Sequence, residues 1–147
     1  MQLQLTAALS RQLAETSGLS FQDYLVLAAL SDRCDGRMRA FELGRELGWE
    51  KSRLSHHISR MGERGFVTRQ QCCTDRRGAF VAITEQGRKA IEAAAPGHVS
   101  VVRRRFIDLL TPAQLKTLSA IAATVLEGLA EDCDAAHLNE PASSPQP

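Results

Sequence analysis

Two amphipathic segments joined through one glycine, within residues 40–61, constrain this chain more than any other feature. The first segment places Leu43 and Leu47 on one helical face. Gly48 follows, at a position where helices commonly end in the left-handed conformation. The second segment repeats the helical spacing at Leu54, Ile58 and Met61. The pattern predicts a helix–turn–helix, but any two amphipathic helices can produce it, so the next segment decides its meaning.

The next segment has the composition of a β-hairpin. Two β-type runs, FVTRQQ at 66–71 and AFVAIT at 79–84, flank the turn-like and basic CCTDRRG at 72–78. A hairpin directly after a helix–turn–helix is a wing. The expected fold is therefore mainly α with a small β-hairpin wing, which is a winged helix–turn–helix.

Helix signals also occur outside this central region. Ser20 followed by Asp23 predicts the start of a second helix, which runs to about residue 32, after a first helix that ends at Ser17-Gly18. A long helix is expected from about residue 84 to 110, with a kink or break at Pro96. Thr111, followed by Pro112 and Gln114, is a strong start for the last helix. The tail, residues 139–147, is expected to be disordered.

Basic charge is concentrated in the middle of the chain. Residues 33–89 hold 13 Lys and Arg against 7 Asp and Glu, whereas the rest holds 5 against 10. Such a cluster indicates an anionic partner, with nucleic acid the first candidate. The sequence contains no apolar run long enough to span a membrane and no signal-peptide pattern at its start, so a cytoplasmic location without a membrane partner is expected.

The segment LGRELGWEKSRLSHHISRMGERGFVTRQQCCTDRRGAFVAITEQGR, residues 43–88, resembles the winged helix–turn–helix of the MarR-type (multiple antibiotic resistance regulator) transcription factors. Its most diagnostic part is Asp75-Arg76-Arg77 followed by AFVAIT. The likeness extends over roughly residues 19–129. It implies a homodimeric DNA-binding protein whose terminal helices pair between subunits and which responds to small, often phenolic anions or to cysteine oxidation. The adjacent Cys72-Cys73 departs from the general family pattern.

The resemblance implies a single domain over residues 1–138. Within it, residues 33–89 form the DNA-binding region, and residues 1–18 and 90–138 form the dimerisation helices. The expected function is that of a sequence-specific transcriptional regulator, a repressor released by a small-molecule ligand. Its DNA partner would be a pseudo-palindromic operator, because a two-fold dimer presents two identical recognition helices.

Six side chains on the fourth helix are the predicted DNA contacts of the recognition helix: Ser52, Arg53, Ser55, His56, His57 and Arg60. Arg53 is the candidate for a bidentate contact to guanine, because its planar fork matches the O6 and N7 acceptors. Ser52, Ser55 and Arg60 are assigned to phosphates. His56 and His57 could contact bases or phosphates. The alternative is a polar face that is merely solvated.

Arg76 and Arg77 lie at the predicted tip of the wing. A narrow A·T-rich minor groove attracts an inserted arginine, and the resemblance assigns that role to Arg77, with Asp75 holding an arginine in position. The alternative is an exposed turn whose charges serve only solubility.

The family resemblance also suggests an effector pocket where the second helix meets the long helix, with Phe21, Tyr24 and Leu25 as wall residues. Cys72 and Cys73 are candidates for a redox switch, since thiolates near arginines are more reactive. The spacing of the cysteines and histidines does not fit a structural zinc site, and no cofactor or catalytic constellation is expected. Two alternatives stay open, a redox-responsive repressor and a winged-helix module that binds protein instead of DNA.

Overall fold

The computed structural model describes the backbone of residues 2–71 and 79–137 and the side chains of residues 3–70 and 79–129. The chain divides into two compact units, Met1–Arg105 and Phe106–Pro147. The first unit contains five helices and three strands in its described part: α1 (Gln2–Ser17), α2 (Phe21–Ser31), β1 (Arg37–Arg39), α3 (Ala40–Leu47), α4 (Lys51–Glu63), β2 (Val67–Gln71), β3 (Ala79–Ile83) and α5 (Glu85–Arg105). The second unit contains the 3-10 turn Ile107–Leu109 and α6 (Pro112–His137).

The start of α2 is fixed by a capping box, as the sequence predicts. The Asp23 backbone N–H donates to the Ser20 hydroxyl at 3.0 Å, and the Ser20 N–H donates to the Asp23 carboxylate at 2.9 Å. Two backbone donors that a helix start leaves without partners are thereby satisfied. The box also places the Asp23 carboxylate at the buried end of α2.

The predicted helix–turn–helix is confirmed as α3 and α4. Gly48 ends α3 with a φ of +64°, in the left-handed region that glycine adopts without steric strain. Glu50 precedes α4 without a side-chain capping bond. The short turn brings the start of α4 close to α3 and fixes which face of α4 packs on the core.

The sheet is antiparallel with the strand order β1-β3-β2. Val67 pairs with Ile83 and Gln71 with Ala79, which confirms that the two predicted runs pair as antiparallel strands. The third strand, β1, was not predicted. It comprises only Arg37, Met38 and Arg39, pairs with β3 and buries Met38 alone, so it carries too short a pattern to be recognised.

One threonine joins the hairpin to α4 and α5. The Thr84 hydroxyl donates to the Gly65 carbonyl at 2.6 Å and accepts from the Gly87 N–H at 3.0 Å. A Cβ on Gly87 would overlap the Phe66 carbonyl oxygen, so only glycine allows α5 to begin this close to the end of α4. The junction fixes the hairpin relative to α4.

A single apolar core fills the first unit and lies beneath the helix–turn–helix. Its fully buried members come from α1, the loop between α1 and α2, α2, α3, α4 and the sheet, and the largest are Leu13, Leu19, Leu27, Leu30, Leu43, Met61, Val26 and Val81. Close packing of these side chains leaves the outer face of α4 as the polar surface of the unit.

The long helix differs from the prediction in two respects. It continues without a break through Pro96, and it ends at Arg105 rather than near residue 110. Pro96 is exposed, while Ala94 and Val101 on either side are buried. Packing on both sides of the proline stabilises the continuous helix despite the backbone hydrogen bond that proline cannot donate.

In the second unit, α6 starts as predicted. The Gln114 side chain accepts from the Thr111 N–H at 2.9 Å, and the Thr111 hydroxyl accepts from the Gln114 N–H at 3.3 Å. Among the described residues no single helix is long and apolar enough to cross a membrane, and one bent helix pair meets that test by length and composition only.

Candidate nucleic-acid interface

The outer face of α4 is polar and exposed along its whole length. Leu54, Ile58 and Met61 anchor the opposite face in the core. The exposed side chains include five of the six predicted contact residues and one more serine: Ser52, Arg53, Ser55, His56, Ser59 and Arg60. The hydrophobic spacing in the sequence was therefore enough to predict that these positions lie on the exposed face of α4.

Strand β2 contributes a cation to the same face. Arg69 donates to the Ser55 carbonyl at 2.7 Å, to the Ser55 hydroxyl at 2.9 Å and to the Ser59 hydroxyl at 3.3 Å. The arginine thus ties the hairpin to α4 and leaves its charge beside the exposed serines. Arg69 was not among the predicted contact residues, since its position in a strand gives no sign of its distance to α4.

Arg53 lies against an aromatic side chain at the start of α4. Its guanidinium carbon is 4.7 Å from the centroid of the Trp49 ring, within the range of a cation–π interaction. The Trp49 ring meets the His57 ring edge to face, with centroids 5.2 Å apart and planes at 83°. Trp49 is half-buried and packs against the core.

His57 corrects one prediction, because it is not on the outer face. It is only 9% exposed, and its Nε2 lies 3.0 Å from the Asp23 carboxylate. This buried Nε2 lies close to the carboxylate without meeting the geometry of a hydrogen bond. His57 follows Leu54 by three residues on the inward side of α4, which places it against α2 instead of toward a ligand.

Asp23 joins three segments of the first unit. It is 2% exposed, and Arg64, directly after α4, donates to its carboxylate at 2.7 Å. Arg64 also donates to the Gly18 carbonyl at 2.8 Å. One carboxylate therefore connects the start of α2, the middle of α4 at His57 and the residue that follows α4.

The pKa values of this pair follow from burial and from its partners. Burial alone would raise the pKa of Asp23, but the hydrogen bonds from the Ser20 backbone and from Arg64 outweigh it and hold that pKa below its usual range. Burial lowers the pKa of His57, and its attraction to Asp23 only partly opposes this, while Arg60 and Arg53 lower it further. The fold therefore favours a charged Asp23 and a neutral His57.

A groove of about 380 Å³ separates α2 from α5. Its lining includes Tyr24, Ser31 and Arg88, and the Ser31 hydroxyl is buried without a hydrogen-bond partner among the described residues. Of the three predicted wall residues, only Tyr24 lines this groove. Phe21 and Tyr24 stack on His98, with centroids 6.3 and 4.2 Å away, and Leu25 is half-buried outside the groove lining.

Several predicted residues lie outside the described part of the chain: Cys72, Cys73, Asp75, Arg76 and Arg77. Their proposed roles in the wing and in redox sensing remain predictions, as does the disordered tail at 139–147. Cys34 is a free and exposed thiol. Within residues 2–71 and 79–137, no group of three His, Cys, Asp or Glu side chains is placed to hold a metal ion.

Comparison with known proteins places this geometry in a family. A model of the MarR family matches residues 17–78. The solved structure of AbsC, a MarR family transcriptional regulator from Streptomyces coelicolor, is 39% identical, covers 88% of this chain and 87% of its own, and superposes with a TM-score of 0.84. The chain belongs to the MarR family. Its fold is the MarR winged helix, mostly helical with a small antiparallel sheet.

Two further proteins are similar. Sco3205 of Streptomyces coelicolor, a MarR family regulator solved in complex with DNA, is 38% identical, with 87% of this chain and 80% of its own covered and a TM-score of 0.83. The transcriptional repressor YetL of Bacillus subtilis is 28% identical over 85 residues, which is 58% of this chain and 51% of YetL. The match to YetL thus spans about half of that protein.

Proposed function

We propose that this MarR-family chain binds double-stranded operator DNA in a sequence-specific manner, represses transcription in the cytoplasm, and works by binding and not by catalysis. The observation that carries the proposal is the exposed polar face of α4, tied to the hairpin through Arg69. A recognition helix contacts base edges with side chains near its N-terminus, which is where Ser52 and Arg53 lie. The DNA complex of Sco3205 supports the same use of this fold.

The deciding experiment is a mobility shift of the whole chain with DNA from upstream of its own gene, repeated with scrambled DNA of equal length. Specific binding should exceed binding to scrambled DNA by at least about a thousandfold at a fixed salt concentration. Equal affinity for the two DNAs, or none, would contradict the proposal and favour the protein-binding alternative.

The repressor is proposed to act as a homodimer, with α6 contributing to the interface. Five large apolar side chains of α6 are between 38% and 65% exposed: Leu118, Ile121, Val125, Leu126 and Leu129. Four of them recur at spacings of three and four residues, which puts them along one side of the helix. A contiguous apolar stripe of this size is typical of a surface that a partner covers.

Release of DNA is proposed to follow binding of a small aromatic or phenolic ligand in the groove between α2 and α5. Tyr24 and the unpartnered Ser31 hydroxyl supply aromatic and polar contacts, and Arg88, Asp32 and Glu92 supply charged groups of both signs. Small-molecule sites commonly combine an apolar wall with a few such polar groups.

A panel of phenols and aromatic carboxylates tests the effector proposal by thermal shift and by DNA release. An active compound should lose its effect with Arg88→Met and retain it with Arg33→Met, which removes an exposed cation outside the groove. Release by peroxide, reversed by thiol and absent after Cys72→Ser with Cys73→Ser, would instead support the redox-responsive alternative.

A further inference from the structure

The arginine assigned to base recognition has no rigid support of its own. Arg53 lies in the first turn of α4, and its side chain is exposed. A guanidinium distinguishes guanine by a bidentate contact, which requires its planar fork to reach the base in one orientation. A freely rotating arginine would lose conformational entropy on binding and would adapt equally well to phosphates. Selectivity therefore depends on what holds the side chain.

The indole of Trp49 is placed to hold it. The 4.7 Å separation of the guanidinium carbon from the ring centroid is a direct contact through the ring face. Since the five N–H donors of arginine lie in the plane of the guanidinium, contact with an aromatic face leaves them available for hydrogen bonds. The indole can therefore orient the fork without occupying its donors.

Trp49 is itself fixed from two directions. Its backbone N–H donates to the Gly44 carbonyl at 2.9 Å, which secures it at the end of α3. Its ring meets the edge-to-face His57, whose position is set by the buried Asp23. A continuous series of contacts thus runs from a buried carboxylate to the exposed guanidinium.

We propose that Trp49 is a positioning residue for base recognition, whose indole, held by buried His57, fixes the orientation of the Arg53 guanidinium. This inference rests on the proposed function, because it explains how the proposed DNA contact becomes selective. Arg60, on the same outer face, has no aromatic ring within cation–π distance among the described side chains. Trp49 should therefore affect DNA recognition by Arg53 and not by Arg60.

The test is a double-mutant cycle on the operator, which is the upstream DNA that the wild type binds specifically. Dissociation constants are measured for the wild type, Trp49→Leu, Arg53→Ala and the double variant on the operator, on a panel of single-base variants and on scrambled DNA. Trp49→Leu should reduce discrimination about three- to tenfold at the base position that Arg53→Ala also flattens. Affinity for scrambled DNA should stay within about twofold, and the double variant should discriminate no less than Arg53→Ala alone.

Two controls separate positioning from folding. Trp49→Phe keeps an aromatic face and should recover most of the discrimination that Trp49→Leu loses. Arg60→Ala should lower affinity for operator and scrambled DNA alike, and by the same factor in the Trp49→Leu background. Thermal unfolding of each variant verifies that the compared proteins are folded at the temperature of the binding assay.

The outcomes distinguish this inference from the proposed function. A wild type that does not prefer the operator overturns both. If the wild type discriminates and Arg53→Ala abolishes this, but Trp49→Leu leaves it unchanged or increases it, the proposed function stands and the positioning role is wrong. Should Trp49→Leu unfold, discrimination retained in Trp49→Phe and Trp49→Tyr but lost in Trp49→Met supports the role, whereas full discrimination in Trp49→Met overturns it.

Discussion

The buried Asp23 shows how much one side chain can organise in a small domain. It caps α2, accepts a hydrogen bond from Arg64 and lies beside His57. A buried carboxylate without such partners would be strongly unfavourable, so the three contacts must form together. The same contacts hold the recognition helix on the core from its inward side.

His57 predicts how stability responds to acid. Because burial lowers the pKa of His57 in the fold below its usual value of about 6.5, the unfolded chain binds a proton first as the pH falls. The contribution of neutral His57 to the free energy of unfolding is fully present above about pH 6.5 and is lost as the pH falls through the folded-state pKa. Urea unfolding between about pH 7.5 and 5.5 should show a steeper decline for the wild type than for His57→Gln.

Burial also lowers the pKa of His98, but this group is present in both proteins and does not affect the comparison. The lowered pKa of Asp23 also makes stability fall with falling pH, but only in a lower pH range. Asp23 stays charged throughout the window from about pH 7.5 to 5.5. Identical pH dependence in the wild type and His57→Gln would show that His57 titrates alike in the folded and unfolded chains.

The separation of two residues along the chain decides which of these contacts could be predicted from the sequence. The capping box of Ser20 and Asp23 spans three residues and was predicted, because its partners are local. The bond from Arg64 to Asp23 spans 41 residues, and nothing in either neighbourhood indicates it. The adjacent His56 and His57 looked alike in sequence, and only the packing of α4 on α2 separates them.

At the scale of elements, two glycines support the interface for different reasons. Gly48 has a positive φ and open space around it, so Gly48→Ala should lower the free energy of unfolding by about 1 kcal/mol through backbone strain alone. Gly87→Ala would force α5 away from the Phe66 carbonyl and should lower it by about 3 kcal/mol or more. Chemical denaturation of both variants measures the difference.

Gly128 provides the matched control for these substitutions. It lies inside α6 with no atom near its added Cβ, so Gly128→Ala should improve helix propensity without a clash. If Gly87→Ala lowers the free energy of unfolding by no more than Gly48→Ala does, the junction at Thr84 adapts more easily than its geometry indicates.

The elements that were predicted correctly have strong local signals, and those that were missed depend on tertiary contacts. The caps at Ser20 and Thr111 and the turn at Gly48 were all visible in sequence. The three residues of β1 acquire strand geometry only by pairing with β3. Of the kink or break expected at Pro96, the break does not occur, because burial on both sides of the proline outweighs one missing hydrogen bond.

For the whole molecule, the apolar side of α6 predicts the state of association. Ile121→Glu combined with Val125→Glu would place two charges in the proposed interface and should convert a dimer to a monomer. Sedimentation measures the mass, and operator binding should weaken in parallel, because two linked half-sites increase affinity. The family and its fold could be identified from the sequence, but the interface could only be proposed.

Ala120→Glu is the control for this prediction. At 100° per residue it lies on the side of α6 away from Ile121 and Val125, so an added charge there should leave the mass unchanged. A dimer that persists in the double variant would place the subunit interface elsewhere in the chain.

Trp49 makes the tryptophan fluorescence of the protein specific to one site, because it is the only tryptophan of the 147 residues. Selectively excited indole emission from the folded protein therefore originates at one ring, in contact with His57 on one side and with the Arg53 guanidinium on another. The unmodified chain thus contains its own fluorescent probe at the start of the recognition helix, and its emission can be followed during titration with acid, DNA or effector without any attached dye.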